Sequence, residues 1–199
     1  MGTQERILEA AERLFAAQGF HAVGVDAIGA AAGMSGSAIY RHFSAKDEIL
    51  AALFDAATSE LMVRLGPPRA PDEELVHLVD VHLDFTLERS LLSMIWQHEQ
   101  RSLTDTHRRS FVRARAHYVE RWMTALAMTY PGRARDDHAL AMNAAQAAIM
   151  SVTLRPRSAG GAETRAVVRS LVLAGLDSLC GVAAEAELRR EPSLSQEIP

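Results

Sequence analysis

Residues 19–50 read GFHAVGVDAIGAAAGMSGSAIYRHFSAKDEIL, and this stretch decides the fold. It holds two short apolar segments, Val25 to Ala32 and Gly36 to about Phe43, with Gly33 between them and Ser35 placed as the N-cap of the second. Ile28, Met34 and Ile39 have the spacing to close a small core, and Gly29 and Ala32 let the two backbones approach. Gly33 supplies the positive φ that such a turn commonly requires. The expected unit is a helix-turn-helix. Its second helix turns Ser37, Arg41 and neighbouring short side chains outward, where a major groove can accept them.

On the N-terminal side, Ile7, Leu8, Ala11, Leu14 and Phe15 recur at three- and four-residue steps, which predicts an amphipathic helix from Thr3 to Gln18 with Thr3 as N-cap and Gly19 as its stop. On the other side, Ser44 or Ala45 starts a longer helix running to about Leu65, and Gly66-Pro67-Pro68-Arg69-Ala70-Pro71 ends it, because proline removes a donor and clashes with the preceding turn. Further helices are expected at about 72–90, 91–101, 104–130, 135–154 and 163–187. Period-2 alternation and Asn-Gly or Asp-Gly hairpins are missing, so the fold class is all-α.

Composition narrows the function classes. Hydrophobic residues make up 48% and charged residues 23%, as in an ordinary globular protein. No run approaches a membrane span, and the N-terminus carries acids where a signal peptide has a basic flank, so a cytoplasmic protein is expected. The single cysteine, Cys180, lies in an apolar stretch and reads as a buried structural thiol. Net charge is −4, and residues 1–65 carry five Lys+Arg against eight acids. Any DNA contact must therefore rest on a few placed groups rather than on a long-range field.

The stretch from Gly19 to Leu50 resembles the DNA-binding domain of TetR-family transcriptional regulators, over about residues 5–52. Its most specific part is Ala32-Gly33-Met34-Ser35, followed by Ile39-Tyr40-Arg41-His42-Phe43 and Lys46-Asp47-Glu48. The resemblance implies that Tyr40, His42 and Lys46 touch phosphates while Gly36, Ser37, Ala38 and Arg41 face base edges, with Ser35 opening the helix. Chemistry agrees, since a phenol hydroxyl and an ammonium bind phosphate oxygens without reading sequence, whereas arginine reads guanine bidentately. Two positions depart from the family pattern: Val23-Gly24 replaces a hydroxyl pair opening the second helix, and Gly36 replaces a basic residue. Both remove backbone anchors.

Beyond the proline-rich break, helical phase puts Leu75, Leu78, Val79, His82, Phe85 and Thr86 on one side of the 72–90 helix. His82 there reads as a hydrogen-bonded core histidine, as a polar group lining a pocket or, least favoured, as a metal ligand. His82, Phe85, Trp96, Glu99, Tyr118, Trp122, Met123, Asn143, Gln146 and Met150 would suit an adaptable cavity for a largely apolar ligand. Arg101, Arg108, Arg109, Arg113, Arg115 and Arg121 form the densest basic run, read as a solvated face, with an anionic ligand group as the sharper alternative. Trp96 to Arg101 (WQHEQR) is similar to a family subgroup that binds acyl-coenzyme A thioesters. Residues 163–187 are apolar around much of their circumference and 139–150 are alanine-rich, so both need more than one packing partner. The resemblance assigns them to a homodimer interface.

Enzyme signatures fail. His98-Glu99 lacks a second histidine at the zinc-protease spacing, Glu74-x-x-His77 is half of a di-iron signature, and no phosphate-binding loop or dinucleotide fingerprint occurs. No catalytic residue, metal or cofactor is expected. The expected organisation is a helix-turn-helix unit at 1–50, a connecting helix at 51–66, a ligand-binding and dimerisation unit at 72–190 and a flexible tail at 191–199. The expected function is a ligand-responsive repressor released from a palindromic double-stranded operator by a small, largely apolar effector. The alternative is a small-molecule-binding helical dimer without specific DNA binding.

Overall fold

The computed structural model describes residues 2–154 and 161–188, with Asp72, Gly161 and residues 179–188 described by their backbone alone. The side chain of Cys180 and the tail after Arg190 lie outside the described residues. The chain runs α1 Thr3–Gln18, α2 Val25–Ala31, α3 Gly36–Ile39, α4 Lys46–Leu65, α5 Pro71–Glu88, α6 Ser90–Glu99, α7 Asp105–Thr129, α8 Arg135–Met150 and α9 Gly161–Leu188. Short 3₁₀ turns follow α6 at Gln100–Ser102 and α8 at Ser151–Leu154. Among the described residues the secondary structure is helical, with no strand.

Local chemistry accounts for the boundaries. Pro71 opens α5 at the first helical position, where its missing N–H costs nothing. At α1 the cap is Gly2 rather than Thr3: the Glu5 carboxylate accepts the Gly2 N–H at 2.6 Å, so an acid in the first turn does the work expected of a hydroxyl. Ser35 caps α3 as expected, accepting the Ala38 N–H at 3.3 Å. The helix proper stops at Ile39, short of Phe43, although the Phe43 N–H still reaches the Ile39 carbonyl at 3.0 Å.

Two glycines make the α2–α3 crossing possible. Gly33 has φ +71°, a conformation that L side chains rarely adopt. A Cβ on Gly29 would lie 3.0 Å from the Gly36 nitrogen and 3.1 Å from the Met34 carbonyl oxygen, so only hydrogen fits between the helices. Ile28 and Ile39 close the core beneath them, with Met34 half-buried at its edge. The Arg6 guanidinium, from α1, hydrogen-bonds the Ala32 carbonyl at the end of α2.

The hydrophobic core is continuous across the proline-rich break, from Ile7 and Phe15 in α1 through Phe54 in α4 to Trp122, Ile149 and Leu176. Phe54 stacks against Trp96 and Phe111, with ring centroids 5.7 and 5.4 Å away, so α4 belongs as much to the body as to the head. Helix α1 packs on α4 and α6, while α4 and α5 both pack on α7. No helix among the described residues is long and apolar enough to cross a membrane.

Candidate DNA interface and ligand cavity

The face formed by the start of α3 and the turns after it carries the residues expected to meet DNA. Ser35, Ser37, Tyr40 and Arg41 are exposed, Tyr40 by 58%, while Gly36, Ala38 and His42 are half-buried. An aromatic ring that exposed has no packing role, in contrast to Phe43 at 6%. Ser37 and Ser35 share a hydrogen bond at 3.0 Å.

Lys46 sits differently from a free phosphate ligand. Its ammonium donates to the Phe20 and Val23 carbonyls at 2.8 Å each and to the His21 carbonyl at 3.5 Å, and it lies 4.3 Å from the centre of the Phe20 ring. All three donors are turned onto the α1–α2 corner, so reaching a phosphate requires giving up part of this cap. Gly36 also has a neighbour that sequence does not suggest: a Cβ there would fall 1.8 Å from Asp26 Oδ1. A carboxylate thus occupies the space that a basic side chain at position 36 would enter.

In the body, Leu61, His82, Phe85, Ser93, Trp96, Arg115, Tyr118, Gln146 and Met150 line a small cavity of about 50 Å³. The lining comes from α4, α5, α6, α7 and α8. His82, Phe85, Trp96, Tyr118, Gln146 and Met150 are among the residues expected there. Four expected residues are not in the lining. Trp122 is fully buried a turn further along α7, edge-on to Tyr118, and Met123 is buried beside it. Asn143 is on the exposed side of α8. Glu99 points the other way, its carboxylate accepting the Phe20 N–H at 3.0 Å and the Ser102 hydroxyl at 2.8 Å.

His82 Nδ1 and the Tyr118 hydroxyl lie 2.8 Å apart. Burial, helped by the positive charge of Arg115, lowers the His82 pKa to about 4, so the imidazole is neutral near pH 7. Burial likewise pushes the Tyr118 phenol well above its ordinary value. The pair is a neutral hydrogen-bonded unit in the cavity wall.

The basic run on α7 divides. Arg121 is buried, donating through Nε and Nη2 to Glu74 Oε1 at 2.8 and 2.5 Å and through Nη1 to the Gly66 carbonyl at 2.7 Å. Arg115 lies over Trp96 and Phe111, 5.4 and 5.6 Å from their ring centres, and reaches Gln146 Oε1 at 3.3 Å. Neither is part of a solvated face. Glu74 and His77, the half-signature of a metal bundle, are used structurally, His77 Nε2 lying 2.9 Å from the Leu65 carbonyl oxygen.

On the outer side of α8 and α9, Leu140, Ala144, Ala148, Leu171, Val172 and Leu176 line a shallow apolar groove. Leu140 is 70% exposed, Leu171 66% and Val167 51%, an unusual density of uncovered apolar groups on two adjacent helices.

A helix-turn-helix head with an exposed face is fused through a shared core to a helical body that holds a small cavity. Residues 7–53 match the family described as bacterial regulatory proteins, tetR family. A TetR-family transcriptional regulator from Bordetella parapertussis shares the fold at 18% identity, with a TM-score of 0.77 over 89% of this chain and 95% of that one. PfmR, a TetR-family transcriptional regulator from Thermus thermophilus, is 26% identical, with a TM-score of 0.72 over 86% of this chain and 97% of that one. AibR, solved in complex with isovaleryl coenzyme A and operator DNA, is 18% identical, with a TM-score of 0.74 over 85% of this chain and 97% of that one. No curated protein matches in sequence.

Proposed function

We propose that the protein is a homodimeric repressor whose grip on a near-palindromic operator is loosened by a small, largely apolar effector bound in the α4–α8 cavity. The observation that carries this reading is the placement of α6. Ser93 and Trp96 of α6 line the cavity, while Glu99, one turn further on, holds the Phe20 N–H at the corner from which α2 departs. A ligand that moves α6 therefore moves a contact of the reading head. The dimer follows from the apolar face of α8 and α9, whose exposed Leu140, Val167 and Leu171 are covered when a second copy packs there. Two heads then read half-sites about one helical turn, roughly 34–36 Å, apart. Ser35, Gly36, Ser37, Ala38, Tyr40, Arg41, His42 and Lys46 form the DNA-facing set, Lys46 with a second duty in holding the corner. A cytoplasmic location follows from this role.

The alternative, a ligand-binding dimer without specific DNA binding, draws support from Asp26, whose carboxylate stands beside the α3 start. One experiment decides between them. Rounds of selection from random duplexes, read at stated salt, are expected to enrich a two-fold symmetric sequence, with sedimentation showing a dimer at micromolar concentration. A stable monomer, or no enrichment over bulk DNA, would reject the repressor reading.

A further inference from the structure

Three hydrogen-bonding groups meet at the cavity with nothing to bond. Ser93 Oγ, Arg115 Nε and Gln146 Nε2 are each buried without a hydrogen-bond partner, and all three residues line the cavity. Gln146 spends its amide oxygen on Arg115 Nη2, which leaves its NH₂ group seeking an acceptor. The guanidinium Nε and the amide NH₂ are donors only, and the serine hydroxyl donates freely, so the missing component is an acceptor.

Charge points the same way. No acid lines the cavity, and among the described residues no carboxylate lies within ion-pair distance of Arg115. The contrast with Arg121 is informative: that buried arginine, six residues further along α7, has a carboxylate built into the fold. Arg115 is half-buried, and its buried Nε with no partner and no nearby anion is costly unless something brought from outside completes it. Trp96 and Phe111 hold the guanidinium plane in place, so it is oriented before a ligand arrives. Around these donors the wall is apolar, from Leu61, Phe85, Trp96 and Met150. One fixed positive charge suits one negative charge, and a phosphate dianion would enter with its second charge unbalanced.

We propose that the ligand is an apolar monocarboxylic acid, its carboxylate held by Arg115, Gln146 and Ser93 and its hydrocarbon part packed against Leu61, Phe85, Trp96 and Met150. This rests on the reading of the cavity as the effector site and adds the head group to it.

The test uses the full-length protein with octanoate and phenylacetate, their neutral amides, and octanoyl-coenzyme A, at fixed ionic strength. Binding is followed by calorimetry and by tryptophan fluorescence, since Trp96 lines the site. Each acid is expected to bind about tenfold or more tighter than its amide, in line with a charge-assisted contact, with the thioester no better than the amide. Arg115→Gln should erase that preference and Arg115→Lys keep part of it, thermal melting confirming that both are folded. Equal affinity for acid and amide, a preference that survives Arg115→Gln, or no acid binding below about 1 mM would overturn the proposal. Ser93→Leu, which fills part of the cavity, separates the two readings through DNA release from the selected duplex. Amide-driven release that Ser93→Leu abolishes would remove the carboxylate but leave the cavity as the effector site. Release by any probe that persists in Ser93→Leu would remove both.

Discussion

Replacing Glu74 with alanine is expected to destabilise the protein far more than an ordinary surface charge change. Glu74 and Arg121 are each 6% exposed. The carboxylate takes two bonds from Arg121 on one oxygen and the Arg69 N–H at 2.8 Å on the other, and Arg121 in turn holds the Gly66 carbonyl that ends α4. Alanine would leave a desolvated guanidinium with a single backbone acceptor and free the connector between α4 and α5. Deleting one member of such a pair costs about 3–5 kcal/mol. For a chain of this length a kcal/mol moves the melting temperature by about 2–4 °C, so a drop of about 6–20 °C is expected. Calorimetry at one fixed protein concentration is the assay, because a dimer's melting temperature depends on concentration. The double variant Glu74→Leu/Arg121→Met should recover most of the loss, since it removes both buried charges together. The reasoning fails if the single variant melts within about 2 °C of the parent, or if the double variant is as unstable as the single.

His82 gives the acid side of the stability profile. Its folded pKa of about 4 lies below the ordinary 6.5, so its contribution is complete above pH 6.5 and is lost as pH falls toward 4, about 3 kcal/mol in all. His82→Gln should flatten melting temperature against pH across that window, and an unchanged slope would show that another group titrates there. Leu171→Asp, on the 66% exposed leucine of α9, should give a monomer in sedimentation at micromolar concentration, whereas a persisting dimer would place the interface elsewhere. Tyr40→Phe should weaken all duplexes about fivefold, the loss of one phosphate hydrogen bond, while Arg41→Ala should alter which bases are selected. Equal effects on every sequence from Arg41→Ala would remove its reading role. Asp26→Asn takes a negative charge from beside α3 and should tighten binding to all duplexes about two- to fivefold at low salt, and no gain would mean that its carboxylate lies outside the field of the phosphates.

The helices are legible because their signals are local. Apolar spacing sets the stripe of α1, Gly33 the turn, and the proline-rich break the end of α4. What fails to read out depends on partners distant in sequence. Arg115 and Arg121 sit in one basic run with nothing nearby to tell them apart, and the difference between them is Glu74, forty-seven residues upstream of Arg121. Helical phase puts Tyr118 and Trp122 on one line, but a cavity occupies only one level along that line, and Trp122 lies a turn beyond it. Asn143 is suggested by residue type rather than by phase. Ser93 leaves no signal at all, since a small hydroxyl on an apolar face looks like filler until its burial and lack of a partner are seen.

Glu99 is the most instructive of the misplaced residues, because its true position connects the cavity to the head. Helix α6 is tied to the head at both ends. At its start Arg89 reaches Glu12 of α1 at 3.2 Å and also bonds Glu60 of α4, and at its end Glu99 takes the Phe20 N–H. Lys46 of α4 holds the carbonyls of the same corner. The cavity-lining Ser93 and Trp96 lie between those ties, so displacement of the helix is resisted at two points that both belong to the reading head. These ties are partly exposed polar contacts, each worth on the order of 1 kcal/mol. A tenfold fall in operator affinity needs about 1.4 kcal/mol of net coupling. Upsetting one or two such contacts per subunit therefore suffices, and a ligand that binds tightly while leaving α6 in place shifts nothing. The geometry favours ligands that press on Ser93 and Trp96 over ligands that merely fill the space near Met150.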